Sequence, residues 1–163
     1  MAASTPPLFR VLKLLHSALT IGMLFFAGIS FLLVKKGIFV SEIDPSLDRT
    51  LQVIAISLSA ILILFGFRLF NKRVMAIRNS AMSATEKMDK YRTACITWWA
   101  MIEAPGLFAF ACFLLVPNYA FLVLGCFHIA ILAIFMPRWD NIIVLLKLNS
   151  QELIDLEENT GKK

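Results

Sequence analysis

An uninterrupted apolar run near the start of the chain decides the fold. Residues 14–34 have the sequence LLHSALTIGMLFFAGISFLLV and carry no ionisable side chain apart from His16. A hydrocarbon core about 30 Å thick is crossed by roughly 20 helical residues, so this run is long enough to span a bilayer. It is too long for the apolar core of a signal peptide, and no small-residue cleavage site follows it. The run therefore predicts a signal anchor that stays in the membrane.

Three further apolar runs follow, at residues 51–70, 94–116 and 119–136. Helices are predicted for all four runs, because the alternating ten-residue pattern of membrane β-strands does not occur. The turn at residues 116–118, Val-Pro-Asn, is so short that it can only join two antiparallel helices. The predicted fold is therefore all-α, a membrane-embedded four-helix bundle with cytoplasmic amphipathic helical extensions.

The composition agrees with this fold. Of the 163 residues, 59% are hydrophobic and 17% are charged, and the mean hydropathy is +0.77. Soluble domains are about 45–50% apolar and roughly 25% charged, so a compact water-soluble domain is excluded. The net charge of +5 comes from basic residues beside the apolar runs, which favours anionic lipid headgroups over nucleic acid as the partner. Cys95, Cys112 and Cys126 have no CxxC spacing, which predicts reduced thiols and no metal site.

The basic residues also predict the orientation of the chain. With four spans, the N-terminus, the segment between the second and third spans, and the C-terminus share one side of the membrane. That side holds 13 of the 16 Lys and Arg residues, and the opposite side holds 3. This excess predicts that the basic side, with both termini, is cytoplasmic.

Local signals predict where the helices outside the spans begin and end. Ser83 and Glu86 have the spacing of a capping box, which predicts a helix that begins there and continues into the third span. Pro137 ends the fourth span. Residues 141–148 and 150–158 have the pattern of short amphipathic helices that lie along the inner surface. The chain thus divides into a transmembrane bundle, residues 1–136, and a cytoplasmic tail, residues 137–163.

One acidic residue, Glu103, lies deep inside an apolar run, near the middle of the membrane. An ionised group there costs several kcal/mol, so this carboxyl is expected to be protonated, paired or in contact with a wet cavity. Pro105, two residues later, predicts a helix kink and leaves the carbonyl of Met101 without its helical hydrogen bond. Two hypotheses follow: Glu103 binds a coupling proton or cation, or it is a neutral hydrogen-bonded group that holds helices together.

His128 is the candidate partner of Glu103 in such a proton- or ion-coupling site. Measured from the turn before the fourth span, the two residues differ in depth by about 4–5 Å. A direct contact and a bridge through a water or a serine both stay open. His16 lies about 9 Å from the depth of His128, which excludes a haem held by both imidazoles. No set of nucleophile, base and orienting group is present, so neither a catalytic site nor a cofactor is predicted.

Short motifs resemble one family. Residues 14–19 (LLHSAL), residues 102–108 (IEAPGLF), the exit at Pro137 and residues 149–152 (NSQE) are similar to segments of uncharacterised small four-span membrane proteins of Bacteroidetes-type bacteria. The likeness covers most of the chain. It implies the four-span topology and a bacterial cytoplasmic (inner) membrane. The group has no assigned activity, so the resemblance implies no function.

The sequence favours a non-enzymatic structural or accessory subunit, either as a homo-oligomer or beside a larger membrane partner. The alternative is a small proton-coupled transporter or channel that uses Glu103. These hypotheses differ in one requirement, since a transporter needs water to reach Glu103, whereas a structural carboxyl needs a dry site.

Overall fold

The computed structural model of the protein describes residues 7–38 and 45–158, and these residues form helices joined by short turns. No strand occurs in the described part of the chain, which confirms the all-α prediction. Residues 39–44 and 159–163, in the predicted outer loop and the end of the tail, lie outside the described residues. The helices are α1 (Pro7–Lys35), α2 (Pro45–Arg78), α3 (Ala84–Leu115), α4 (Tyr119–Ile134), α5 (Trp139–Leu146) and α6 (Ser150–Glu158).

Three helices, α1, α2 and α3, are each long and apolar enough to cross a membrane. At 16 residues, or about 24 Å, α4 meets this condition only together with α5, from which it is bent by 72°. Helix α4 ends at Ile134, two residues before the end of the predicted fourth span, residues 119–136. Pro137 explains the early end, since a proline disfavours helical geometry in the residue before it and donates no hydrogen bond.

Specific side chains fix where two of the helices begin. At the start of α3, the Ser83 side chain accepts from the backbone N–H of Glu86, and the Glu86 carboxylate accepts from the N–H of Ser83. This confirms the predicted capping box. At the start of α4, the Asn118 side chain accepts from the N–H of Ala120 and donates to Asp48 of α2 at 3.0 Å. The turn between α3 and α4 is therefore tied to the first turn of α2.

The central element of the bundle is α3, which packs against α1, α2 and α4. Half of its most apolar stretch is buried inside the protein, compared with 11% for α1 and 17% for α2. Although α1 and α2 are consecutive in the chain, they make almost no contact with each other. Helices α1 and α2 are therefore held together through α3 and α4, and they do not form a packed hairpin with each other.

Three glycines allow large side chains to pack directly on a helix backbone. Gly66 of α2 lies under the ring of Trp98, and Gly125 of α4 lies under the ring of Phe110. A Cβ atom on Gly106 of α3 would come within 2.8 Å of the Cβ of His128. Small residues permit such close approach between apolar helices.

Beyond the bend, two short helices return to the end of the bundle. The buried face of α5 consists of Ile142 and Leu146, and α6 buries Leu156. This agrees with the predicted amphipathic helices, although α5 begins two residues before the predicted range and ends where Lys147 adopts a left-handed conformation, φ 51°. The contact of α6 with α3 includes an ion pair in which the Lys87 ammonium donates to the Glu152 carboxylate at 2.6 Å.

The ion pair predicts that α6 detaches from α3 in acid. The Lys87 ammonium lowers the pKa of Glu152 below its ordinary value of 4.5, and the backbone N–H of Asn149 acts in the same direction. Because the pKa of the folded state is lowered, the pair contributes stability above that ordinary value and loses it as the pH falls through the folded-state pKa. We expect backbone amides of α6 to exchange hydrogen about tenfold faster near pH 3 than near pH 6, after correction for intrinsic rates.

A matched pair of variants tests the assignment. Glu152→Gln is expected to give the faster exchange at both pH values, because the amide cannot form the ion pair. Asp155→Asn removes a carboxylate from the same helix whose hydrogen bond is to Gln151 of α6 and not to α3. Asp155→Asn should retain the pH dependence, and equal behaviour of the two variants would contradict the role of Glu152.

Candidate functional site

The carboxyl of Glu103 lies in a shallow groove between α1 and α3, on the outside of the bundle. The side chain is half-buried, and no hydrogen bond or ion pair joins it to any other residue that the structure describes. The groove, of about 640 Å³, contains no other polar side chain. Its remaining lining residues are Gly22, Phe25, Phe26, Leu107, Phe108 and Ala111.

Pro105 is buried in the middle of α3, which continues through it and ends ten residues later at Leu115. Because Pro105 has no N–H, the carbonyl of Met101 receives no hydrogen bond from it. The Met101 carbonyl lies on the helix turn that carries Glu103. The predicted kink at this proline stays a prediction.

His128 lies on a different side of α3, in the interior of the bundle. Its imidazole is fully buried, and its Nε2 lies 3.0 Å from the hydroxyl oxygen of Ser59 on α2. No described acceptor or donor lies in hydrogen-bonding geometry to Nδ1. Below the ring lie Gly106 of α3 and the end of the Met23 side chain of α1. All four long helices therefore meet at this level.

The structure does not bring Glu103 and His128 together. His128 contacts α3 at Gly106, one turn beyond Glu103, and its Nε2 is engaged by Ser59 of α2. Glu103 instead faces the groove beside α1. The two side chains differ in depth in the direction that the sequence predicts, because helical side chains lean toward the N-terminus of their own helix. A serine does bind His128, but it does not connect the imidazole to the carboxyl.

His16 has a structural role that the sequence did not predict. The imidazole is 3% exposed, and its Nε2–H donates to the carbonyl of Leu132 at 2.9 Å. Leu132 lies in the last turn of α4, and its carbonyl also accepts from the backbone N–H of Phe135 at 3.1 Å, so His16 supplies a second donor. The ring also stacks edge-on against Trp99 at a centroid distance of 4.9 Å. His16 of α1 thus caps the end of α4. The sequence signal for this role is that the last turn of α4 contains no basic residue of its own.

The two histidines therefore bind different partners and do not form a shared site. His16 caps the end of α4, whereas His128 bonds to α2 at the centre of the bundle. Across the described ranges, no three side chains of His, Cys, Asp or Glu converge on a point that could hold a metal ion. Both histidines form hydrogen bonds that join different helices.

Comparison with known proteins identifies no relative of this chain. The chain matches no protein-family model, no curated protein sequence and no solved structure. The site and the surface of this protein are therefore the basis for its proposed function.

Proposed function

We propose that the protein is an integral protein of a bacterial inner membrane that acts as a non-enzymatic accessory subunit. It docks against a transmembrane helix of a larger partner through the groove between α1 and α3. The observation that carries this proposal is the Glu103 carboxyl, which faces outward from the bundle in an apolar groove and has no partner in the described chain. The partner helix is expected to present a hydrogen-bonding side chain at the depth of Glu103.

The outer surface of the helices supports the membrane location. Large apolar side chains stand exposed along α1, α2 and α4, as shown by Phe25 at 69%, Leu64 at 64% and Val123 at 68%. A soluble monomer rarely exposes apolar area on this scale, whereas lipid covers it without cost. The distribution of basic residues, 13 to 3, supports cytoplasmic termini. The four-span topology needs α4 to cross despite its 16 residues, with the bent α5 at the cytoplasmic boundary.

The chemistry of the groove supports docking. A carboxyl at mid-membrane depth without a partner is costly whether it is charged or neutral, so a hydrogen bond from a neighbouring helix is favourable. Gly22 lies on the α1 side of the groove, and a Cβ atom there would meet nothing within 4 Å. The groove therefore leaves space beside Glu103 for another helix. Hydrogen bonds of this kind are worth about 0.6–1.7 kcal/mol in membranes.

Photocrosslinking in the membrane tests this docking. A photoreactive amino acid at Leu107, inside the groove, is expected to give one protein adduct of defined mass, and the same probe at Val123 on α4 is expected to give only lipid adducts. Glu103→Leu should lower the Leu107 adduct by about threefold to tenfold, because it removes the hydrogen bond. Glu103→Gln should retain most of the adduct, because the amide still donates and accepts.

Other outcomes decide against the proposal. An adduct of twice the mass of the chain would identify a second copy as the occupant. A Leu107 probe that captures only lipid would contradict docking at the groove. If Glu103→Gln retains the adduct but abolishes proton or cation flux in vesicles, the small transporter that uses Glu103 replaces the accessory subunit. Release of the protein from membranes by alkaline carbonate would contradict the membrane location itself.

A further inference from the structure

A second cavity lies at the other end of the molecule from the α3–α4 turn, where α5 bends away from α4. Its volume is about 610 Å³, within the range of about 300–1,000 Å³ that is usual for small-molecule sites. The walls come from the ends of α2 and α4 and the beginnings of α3 and α5. The bend of 72° between α4 and α5 forms the cavity, because a straight continuation of α4 would not bring α5 back against α2.

Two cations line this cavity without a counter-charge. Arg78, the last residue of α2, is half-buried, and Arg138, immediately before α5, is exposed. Neither guanidinium has an ion pair or a side-chain hydrogen bond within the described chain, and the cavity lining contains no Asp or Glu. Guanidinium groups bind phosphate oxygens with two parallel hydrogen bonds, so this pair favours a phosphate-bearing anion.

Neutral donors in the same wall also lack acceptors. The Trp98 side chain, 2% exposed, lines the cavity, and its Nε1–H has no hydrogen-bond partner in the described residues. The first turn of α5 has no side-chain cap, and Asn141 of that turn lines the cavity. Uncapped N–H groups at the beginning of a helix favour an anion. Asp140 stands in the same turn, but it is exposed and does not line the cavity.

The remaining lining is apolar and open toward the side of the bundle. Aromatic rings of Phe67, Phe70 and Phe135 surround Trp98 at centroid distances of 5.3–6.4 Å. At the rim, Ile134 and Val144 are 79% and 75% exposed. A ligand that satisfies both parts of the cavity has an anionic phosphate at one end and an apolar chain at the other.

We infer that this cavity binds one anionic phospholipid of the cytoplasmic leaflet, with its phosphate between Arg78 and Arg138 and the beginning of an acyl chain against Phe67 and Phe135. The inference rests on the proposed membrane location, since the cavity meets the bilayer boundary only if α2, α3 and α4 are spans. The positive-inside orientation places both arginines at the cytoplasmic headgroups.

Lipid binding to the purified protein in detergent tests the inference, with native mass spectrometry as the readout. We expect short-chain phosphatidylglycerol to bind at least tenfold more tightly than phosphatidylcholine of the same chain length. The double variant Arg78→Gln and Arg138→Gln should bring this ratio close to one, since each cation contributes about fivefold. Trp98→Phe, which keeps the ring and removes the N–H, should weaken phosphatidylglycerol binding about threefold.

Lys72→Gln provides the matched control, because Lys72 is exposed on α2 and does not line the cavity. It is expected to leave the ratio unchanged. An equal loss in Lys72→Gln, or equal binding of the two lipids to the unmodified protein, would overturn the inference. Displacement of phosphatidylglycerol by millimolar inorganic phosphate would identify a free-anion site instead. The lipid-binding measurements use protein in detergent and do not depend on carbonate extraction. A loss of lipid selectivity would therefore contradict the lipid site alone, and release by carbonate would contradict the membrane location.

Discussion

Gly125→Val is expected to destabilise the bundle by about 3 kcal/mol or more, the upper end of the cost of overpacking a core. A Cβ atom on Gly125 would lie within 2.7 Å of three ring atoms of Phe110. Phe110 cannot move aside, because it is completely buried and packs edge-on against Phe26 of α1 at 6.3 Å. Thermal or detergent unfolding of the purified protein, followed by helical circular dichroism, measures the loss.

Gly28→Val places the same side chain on α1 where a Cβ atom would meet nothing within 4 Å. Valine and glycine differ by less than about 0.5 kcal/mol in helix propensity, so Gly28→Val should change the free energy of unfolding only slightly. If the two variants lost equal stability, the close contact between α3 and α4 would not exist.

His128→Ala is expected to lower the free energy of unfolding by about 3 kcal/mol, for two separate reasons. The substitution leaves a cavity above Gly106, where the imidazole fills the space between helices. It also removes the bond to the hydroxyl of Ser59, a contribution of about 0.6–1.7 kcal/mol in a membrane. The cavity should be the larger part, because the Ser59 hydroxyl can donate to a carbonyl of its own helix instead.

Ser59→Ala separates the two parts. It removes the hydrogen bond but leaves the imidazole in place, so it should cost about 0.6–1.7 kcal/mol. The double variant should then be no worse than His128→Ala alone by more than a few tenths of a kcal/mol, since the two residues share one bond. If Ser59→Ala cost as much as His128→Ala, the packing of the imidazole on Gly106 would contribute nothing.

The positions of the helices could be predicted from the sequence because they depend on local chemistry. The apolar runs, the capping box at Ser83 and the proline that ends α4 act within a few residues of themselves. Beyond its apolar run, α2 continues to Arg78, and α3 begins at Ala84, next to the predicted capping box. A helix can extend past its apolar run into a polar segment where packing against other helices, or a cap, stabilises that segment.

The faces of the helices could not be predicted in the same way. Ala55 and Ser59, small residues one turn apart on α2, are buried, whereas Ala100 and Ala104, with the same spacing on α3, are exposed. In an apolar span, the side that meets lipid and the side that meets protein have similar side chains, so the sequence carries little directional signal. Gly125 is important for packing because the ring of Phe110, on a different helix, lies directly against it, and that contact is visible only in the structure.

The candidate site shows the same division. The chemistry of Glu103 singles it out in the sequence, and it lies in an apolar groove without a partner among the described residues. The partners of His128 and His16 depend on how α2 and α4 pack, which no local pattern encodes. The cavity beside Arg78 was missed because it requires the bend between α4 and α5.

The near absence of contact between α1 and α2 has a consequence for biogenesis. In a chain that spans the membrane as proposed, α1 and α2 enter the bilayer before α3 is synthesised, and they make almost no contact with each other. Under this proposal, α1 and α2 stay loosely associated until α3 is synthesised and packs against both of them. A ribosome that stops before α3 would leave a product without a packed interior, which quality-control proteases can recognise. The second half of the chain thus completes the assembly of the first.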